Sequence, residues 1–205
     1  MPSRPRRLLA VTLLLLVTVA GCGEAEVSLA PTHDPAEPWQ SRPFAVDPLL
    51  IIEAERICRD PTRPMMRAGL PLVVVDARGE DRLLLLFAGA AETGECFLER
   101  DRTGRLMFDS GGGGSASGPL PALQPAEIRF NGAGSSDDPE GPWSFGVGQA
   151  GAAVAFVELT PPSGVVVRAS LNRGWFAAWW YGLDHDAQIV VRGYDAGGRL
   201  VGTSP

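Results

Sequence analysis

Apolar positions along the chain form three kinds of run, and each kind predicts a different element. Residues 8–20 (LLAVTLLLLVTVA) are almost unbroken hydrocarbon. Residues 49–58 (LLIIEAERIC) instead place Leu49, Ile52 and Arg56, and Leu50, Glu53 and Ile57, in two imperfect stripes at helical spacing. Asp47-Pro48 in front of them supplies an N-cap and a first-turn proline, and Pro61 stops the run, so a short helix is expected within 48–59. Beyond residue 70 the apolar runs are short and separated by turn residues, the rhythm of antiparallel strands.

Strands are predicted at 72–75 and 83–87 around the turn 76–81, at 95–99, and at 106–108, giving a meander with Cys96 on its third strand. Further strands follow at 126–130, at 152–159 paired through 160–164 with 165–170, at 175–181, at 189–194 and at 199–201. Residues 131–142 read as a Gly, Ser, Asp and Pro loop. Residues 110–119 (SGGGGSASGP) read as a flexible loop or linker, because glycine loses the most backbone entropy inside an element. The expected fold is mainly β, an antiparallel sandwich-like assembly or partly open barrel with one short N-terminal helix. It spans 44–205, either as one domain or as subdomains 44–109 and 120–205 on either side of the glycine stretch.

The first apolar run is too short for a span. Thirteen helical residues rise roughly 20 Å against a hydrocarbon core of roughly 30 Å. Three arginines precede it within residues 1–7, and Val19-Ala20-Gly21-Cys22 closes it. This arrangement resembles the lipobox of bacterial lipoproteins. The resemblance implies a signal peptide at 1–21, cleavage before Cys22, a diacylglyceryl group on its sulfur and a membrane anchor on the extracytoplasmic face. Residues 22–43, rich in proline and acids, then read as an extended tether.

Charge narrows the partners. The chain holds 18 basic residues, all arginine, against 24 acidic ones. Without residues 1–21 the balance falls from -6 to -9, which lacks the basic field that nucleic acid requires. Lipidation of Cys22 leaves Cys58 and Cys96, an even pair that in an exported domain suggests a disulfide, the alternative being two buried thiols. A bridge closing about 39 residues stabilises by roughly 4 kcal/mol on the chain-entropy account.

Trp175, Ala177 and Trp179 alternate with Phe176, Ala178 and Trp180 across a strand, more aromatic surface than one small core face needs. Two readings follow: a core, or a binding surface for a protein or glycan built from Trp175, Trp179 and Trp180 with Arg173 and Asp184 as polar neighbours. Asp184-His185-Asp186 is too compact for a metal set, since adjacent residues converge on one ion only around a sharp loop and the other histidine, His33, lies in the tether. Asp137-Asp138-x-Glu140 lacks a calcium-loop pattern. No metal or cofactor is expected.

His185 and its acids could activate Ser144, Ser163 or Ser170, but no G-x-S-x-G elbow frames them. A noncatalytic anchored protein that binds a protein or envelope component is therefore the leading expectation. An envelope hydrolase acting on glycan or peptide, and a structural or stress-sensing module, are the alternatives.

Residues 154–202 carry a further pattern: a turn at Gly164, Val167-x-Ala169, Asn172-x-Gly174-Trp175-Phe176-Ala177-Ala178-Trp179-Trp180, and Tyr194-Asp195-Ala196-x-Gly198. This resembles the C-terminal β domain of uncharacterised membrane-anchored or lipidated actinobacterial proteins. Tyr181 stands where a proline commonly follows in that family. A weaker likeness extends to Asp76-x-Arg78-Gly79 and the cysteine pair. The resemblance implies a β fold and a membrane location, and brings no activity with it.

Overall fold

The computed structural model describes residues 40–62, 69–79, 82–137, 141–184 and 188–204, all within one compact unit, Thr32–Pro205. The anticipated Cys22, the leader and most of the tether lie outside the described residues, as do His33, Asp138, Glu140, His185 and Asp186. Within them the fold is mainly β: three four-stranded antiparallel sheets, not closed into a barrel, and one short helix. No helix among the described residues is long and apolar enough to cross a membrane.

The helix α1 (Pro48–Cys58) begins as its sequence demands, with the Asp47 carboxylate accepting from the Leu49 N–H at 2.8 Å. It lies on a meander of β1 (Leu72–Ala77), β2 (Arg82–Ala88), β3 (Glu92–Arg100) and β4 (Leu106–Ser115) in that spatial order. Cys58 at the helix end is bonded to Cys96 on β3, so the disulfide fastens the helix to the sheet. Ala54, Cys58, Leu83, Leu85 and Phe87 form the core between them.

The second sheet has the order β5 (Ile128–Ser136), β6 (Trp143–Ala150), β10 (Trp175–Tyr181), β9 (Ser170–Asn172). The third has β12 (Leu200–Ser204), β11 (Val190–Tyr194), β7 (Phe156–Thr160), β8 (Val167–Arg168). Strands β8 and β9 are separated only by Ala169, so one short stretch of chain passes from the third sheet to the second.

Two strands are buried on both sides. In β2, Leu84, Leu86 and Ala88 face the second sheet while Leu83, Leu85 and Phe87 face the helix. In β10, Trp175, Ala177 and Trp179 pack toward the first sheet, and Phe176, Ala178 and Trp180 toward the third. A sheet covered on both faces needs an apolar residue at every position, which is why these two runs do not alternate. The molecule is thus layered as helix, sheet, sheet, sheet, with a hydrophobic core between each pair.

Three expectations need correction. Residues 110–115 are not a loop but the second half of β4, paired with β3 from Gly111↔Cys96 to Ser115↔Glu92. A Cβ on Gly111 would lie 2.9 Å from the Glu95 carbonyl oxygen and one on Gly113 2.6 Å from that of Thr93, so glycine lets the twisted strands approach. The two halves of the chain share the core between the first and second sheets, so the glycine stretch divides no separate cores. Residues 131–136 likewise continue β5, and 143–150, given no element in the sequence reading, form β6. Finally, the tether ends before residue 43: the Gln40 N–H donates to Arg78 O, and Ser41 O accepts from the Arg168 N–H.

Candidate functional site

The tryptophan face expected to bind is closed. Trp179 and Trp180 are 0% exposed and Trp175 8%, because β10 is an inner strand with sheets on both sides. Asp184 is buried as well: its carboxylate accepts from the Trp180 indole N–H at 2.8 Å and from the Ser163 hydroxyl at 3.2 Å. Arg173 alone of the set is exposed, in the turn before β10, where it holds φ 52° next to Gly174. These residues therefore form no common surface. The chemistry of β10 is packing, with Asp184 satisfying one indole.

The serines considered for hydrolysis are dispersed. Ser144 is fully buried; its hydroxyl donates to Gly182 O at 2.6 Å and accepts from the Asp184 N–H at 3.0 Å. Ser170 donates to Asp76 at 2.7 Å. Among the described residues, no group of three or more His, Cys, Asp or Glu side chains is gathered for a metal.

Asp76 and Arg78 form a second polar centre, and both are completely buried. The Asp76 carboxylate accepts from Arg78 Nε at 2.6 Å and Nη2 at 2.9 Å, from Ser170, and from the Trp179 N–H at 3.3 Å. The last bond has a topological setting: β9 accompanies β10 only as far as Ala177, and beyond it the carboxylate accepts from the Trp179 N–H. Arg78 also donates to Ser41 O at 2.8 Å and to Arg168 O. A buried ion pair this fully hydrogen-bonded ties the start of the domain, the first sheet and the corner between the other two into one piece.

Open space lies elsewhere. The end strand of the first sheet, β4, and the end strand of the second, β5, border a cleft of about 340 Å³. Thr93, Gly114, Ser115, Leu120, Arg129 and Asn131 contribute to its walls. Glycine shapes this cleft as well as the strand. Gly112 pairs with Glu95 and Gly114 with Thr93, and at neither position would a Cβ crowd its neighbour: it would lie 3.4 Å from Glu95 Oε2 and 3.5 Å from Thr93 Oγ1. The Glu95 carboxylate and the Thr93 hydroxyl lie over these two glycines, and Gly114 and Thr93 both border the cleft.

Glu95 is 6% exposed, and no ion pair is found for it among the described residues. Burial pushes its carboxyl above the ordinary range, against a smaller downward pull from the Thr93 hydroxyl. Arg129, although it lines the cleft, is engaged by Pro121 O and Gln149 Oε1, each at 3.0 Å, and by Glu127 at 3.4 Å. Sequence reasoning missed this site because it took the glycines for a loop. The usable signal was the run Gly111–Gly114, able to pair without side chains, next to the strand predicted at 95–99, which in fact starts at Glu92.

Comparison with protein-family models, with curated proteins and with solved structures found no match to the chain.

Proposed function

We propose that the chain is a noncatalytic, lipid-anchored protein of the extracytoplasmic face that binds a protein or a cell-envelope component in the cleft between β4 and β5. The observation that carries the reading is the cleft itself, an open volume between two sheet edges walled by both polar side chains, Thr93 and Asn131 among them, and apolar ones, Leu120 and Phe130. The polar groups of β10 and of the Asp76 centre, by contrast, are engaged in holding the fold. The Cys58–Cys96 disulfide supports an oxidising compartment. An acylated Cys22 would supply a durable anchor, since two or more chains hold where one is marginal. The resemblance of residues 154–202 to lipidated proteins agrees with that location.

Two measurements test this. Mass spectrometry of the membrane-derived protein should find an amino-terminal peptide beginning at acylated Cys22; unmodified Cys22 behind an intact leader would overturn the anchor. A photocrosslinker at Ser115 should then label a defined envelope component, and Gly114→Leu, which fills the cleft, should abolish the labelling. Equal labelling in the filled variant would overturn the binding site.

A hydrolase is favoured only by the exposed Ser163 hydroxyl resting on Asp184. Covalent labelling of Ser163 by a fluorophosphonate would select that reading instead.

A further inference from the structure

One face of the domain is apolar and turned to solvent, and it is the first surface the chain builds after the tether. We propose that this face, the outer side of α1 with Leu49 and Ile52 at its centre, rests on the lipid surface that holds the chain, a role that depends on the Cys22 anchor proposed above.

Leu49 is 74% exposed and Ile52 64%, the highest values for large apolar side chains among the described residues. Helix geometry explains why. Ala54 and Cys58 pack on the first sheet, with Leu50 and Ile57 against the same core. Leu49, Ile52 and Arg56, three and four residues apart, therefore share the side away from it. The acids of the helix stand to either side of this row. Glu55 holds Arg59 at 2.8 Å, and Glu53 borders a groove beside β4 together with Asp60, Arg105 and Met107. Met107 is also exposed and adds apolar surface across that groove. Against a bilayer, the two aliphatic side chains would enter the boundary between headgroups and acyl chains. The Arg56 stem would lie along it with the guanidinium at the phosphates.

Chain length points to lipid as the occupant. Seventeen residues separate Cys22 from Gln40, a length that spans at most about 60 Å. From there the chain is pinned to the domain: the Gln40 N–H donates to Arg78 O, Ser41 O accepts from the Arg168 N–H, and the Phe44 N–H donates to Ala77 O. Phe44 and Val46 then join the core between α1 and the first sheet, and the helix begins at Pro48. An acylated Cys22 thus keeps the outer face of α1 close to the bilayer. The size of the patch points the same way. Leu49, Ile52 and Met107 are too few to form the core of a stable protein interface, which takes roughly 800 Å² from each partner. A lipid surface demands less, because a short linker turns the second contact into an intramolecular one at an effective concentration on the order of millimolar.

The test is lipid-phase quenching of a nitrobenzoxadiazole probe on the full acylated chain, reconstituted in vesicles of equal parts phosphatidylglycerol and phosphatidylcholine. With Cys22 acylated and Cys58 bonded to Cys96, Ile52→Cys, or Leu200→Cys on the exposed side of the third sheet, supplies the sole thiol for labelling. Phosphatidylcholine carrying a nitroxide near its headgroup should quench the probe at position 52 at least about twofold more than the probe at position 200. Leu49→Glu, a change at a position already in solvent, should remove that excess with the unfolding midpoint unchanged. Equal quenching at the two positions, or an excess that survives Leu49→Glu, would overturn docking through this face. A blue-shifted probe at position 52 that the nitroxide lipid leaves unquenched would overturn it too, and would assign the face to a protein or a second copy. A chain that fails to float with the vesicles would overturn the anchor and the docking together, whereas a floating chain with an unquenched probe removes the docking alone.

Discussion

Strands β10 and β4 are opposite solutions to the same geometric problem. Strand β10 lies inside its sheet between β6 and β9, and β4 lies at the edge of its sheet beside β3. Strand β10 places a side chain at every position, two aromatic rows that fill the spaces to the first and third sheets at once. Strand β4 discards side chains for four consecutive residues. At Gly111 and Gly113 this lets the backbone close on β3; at Gly112 and Gly114 the Glu95 carboxylate and the Thr93 hydroxyl lie at ordinary contact distance from where a side chain would start. The lesson is that side-chain bulk and surface opening are uncoupled here. In the strand richest in aromatic rings all six residues from Trp175 to Trp180 are buried, and the strand poorest in side chains borders an open cleft.

The largest expected effect breaks the first half of that comparison. Trp180→Ala removes a ring with no exposure and strands the Asp184 carboxylate that caps it, so unfolding free energy should fall by about 3–5 kcal/mol in chemical denaturation. A loss under about 1 kcal/mol would mean that β10 is not enclosed. Asp76→Asn should cost a comparable amount, since it leaves Arg78 charged, buried and unmatched.

The glycines of β4 sharpen the other half because neighbours should respond with opposite sign. Gly113→Ala forces a methyl to 2.6 Å from the Thr93 carbonyl oxygen and should destabilise by about 1–3 kcal/mol. Gly114→Ala meets nothing nearer than 3.5 Å and should be neutral or stabilising, by up to about 1 kcal/mol, through lost freedom of the unfolded chain. Equal effects at the two positions would contradict alternating roles for the run.

The smallest effect is a pH dependence. The folded-state pKa of Glu95 is raised, so the native protein holds that proton more tightly than the unfolded chain. Its contribution favours folding below the unfolded value and is lost as pH rises through the folded one. Subtracting the stability profile of Glu95→Gln from that of the wild type should isolate a decline beginning near the ordinary glutamate value of 4.5 and running upward. A difference that rises with pH would reverse the sign and remove the buried, unpaired carboxylate from the account.

Much of this architecture was legible in the chain. Asp47-Pro48 marked the helix start, and the Leu83–Leu86 run and its turns marked the meander. The cysteine pair also stood where a helix and a third strand meet. What escaped reading shares one cause. Strand prediction relies on side chains, and 110–115, 131–136 and 143–150 replace many of theirs with glycine. In β6 the alternation of Trp143, Phe145 and Val147 was present, but Gly146 and Gly148 leave its other face without side chains. They are small because Leu159 of the third sheet and Phe130 of β5 crowd the first and Phe176 of β10 the second, constraints set by residues distant in sequence and invisible locally. The tryptophans were ambiguous for a related reason: an alternating aromatic strand looks the same whether its second face meets solvent or another sheet.

Indole exposure in the full chain tests the central claim most directly. Trp39→Phe leaves Trp143, Trp175, Trp179 and Trp180 as the only indoles, and all four are buried between sheets. Their emission should be blue-shifted and only weakly quenched by iodide or acrylamide until the chain unfolds. Red-shifted emission with efficient quenching in the native protein would place aromatic rings in solvent and contradict the layered core.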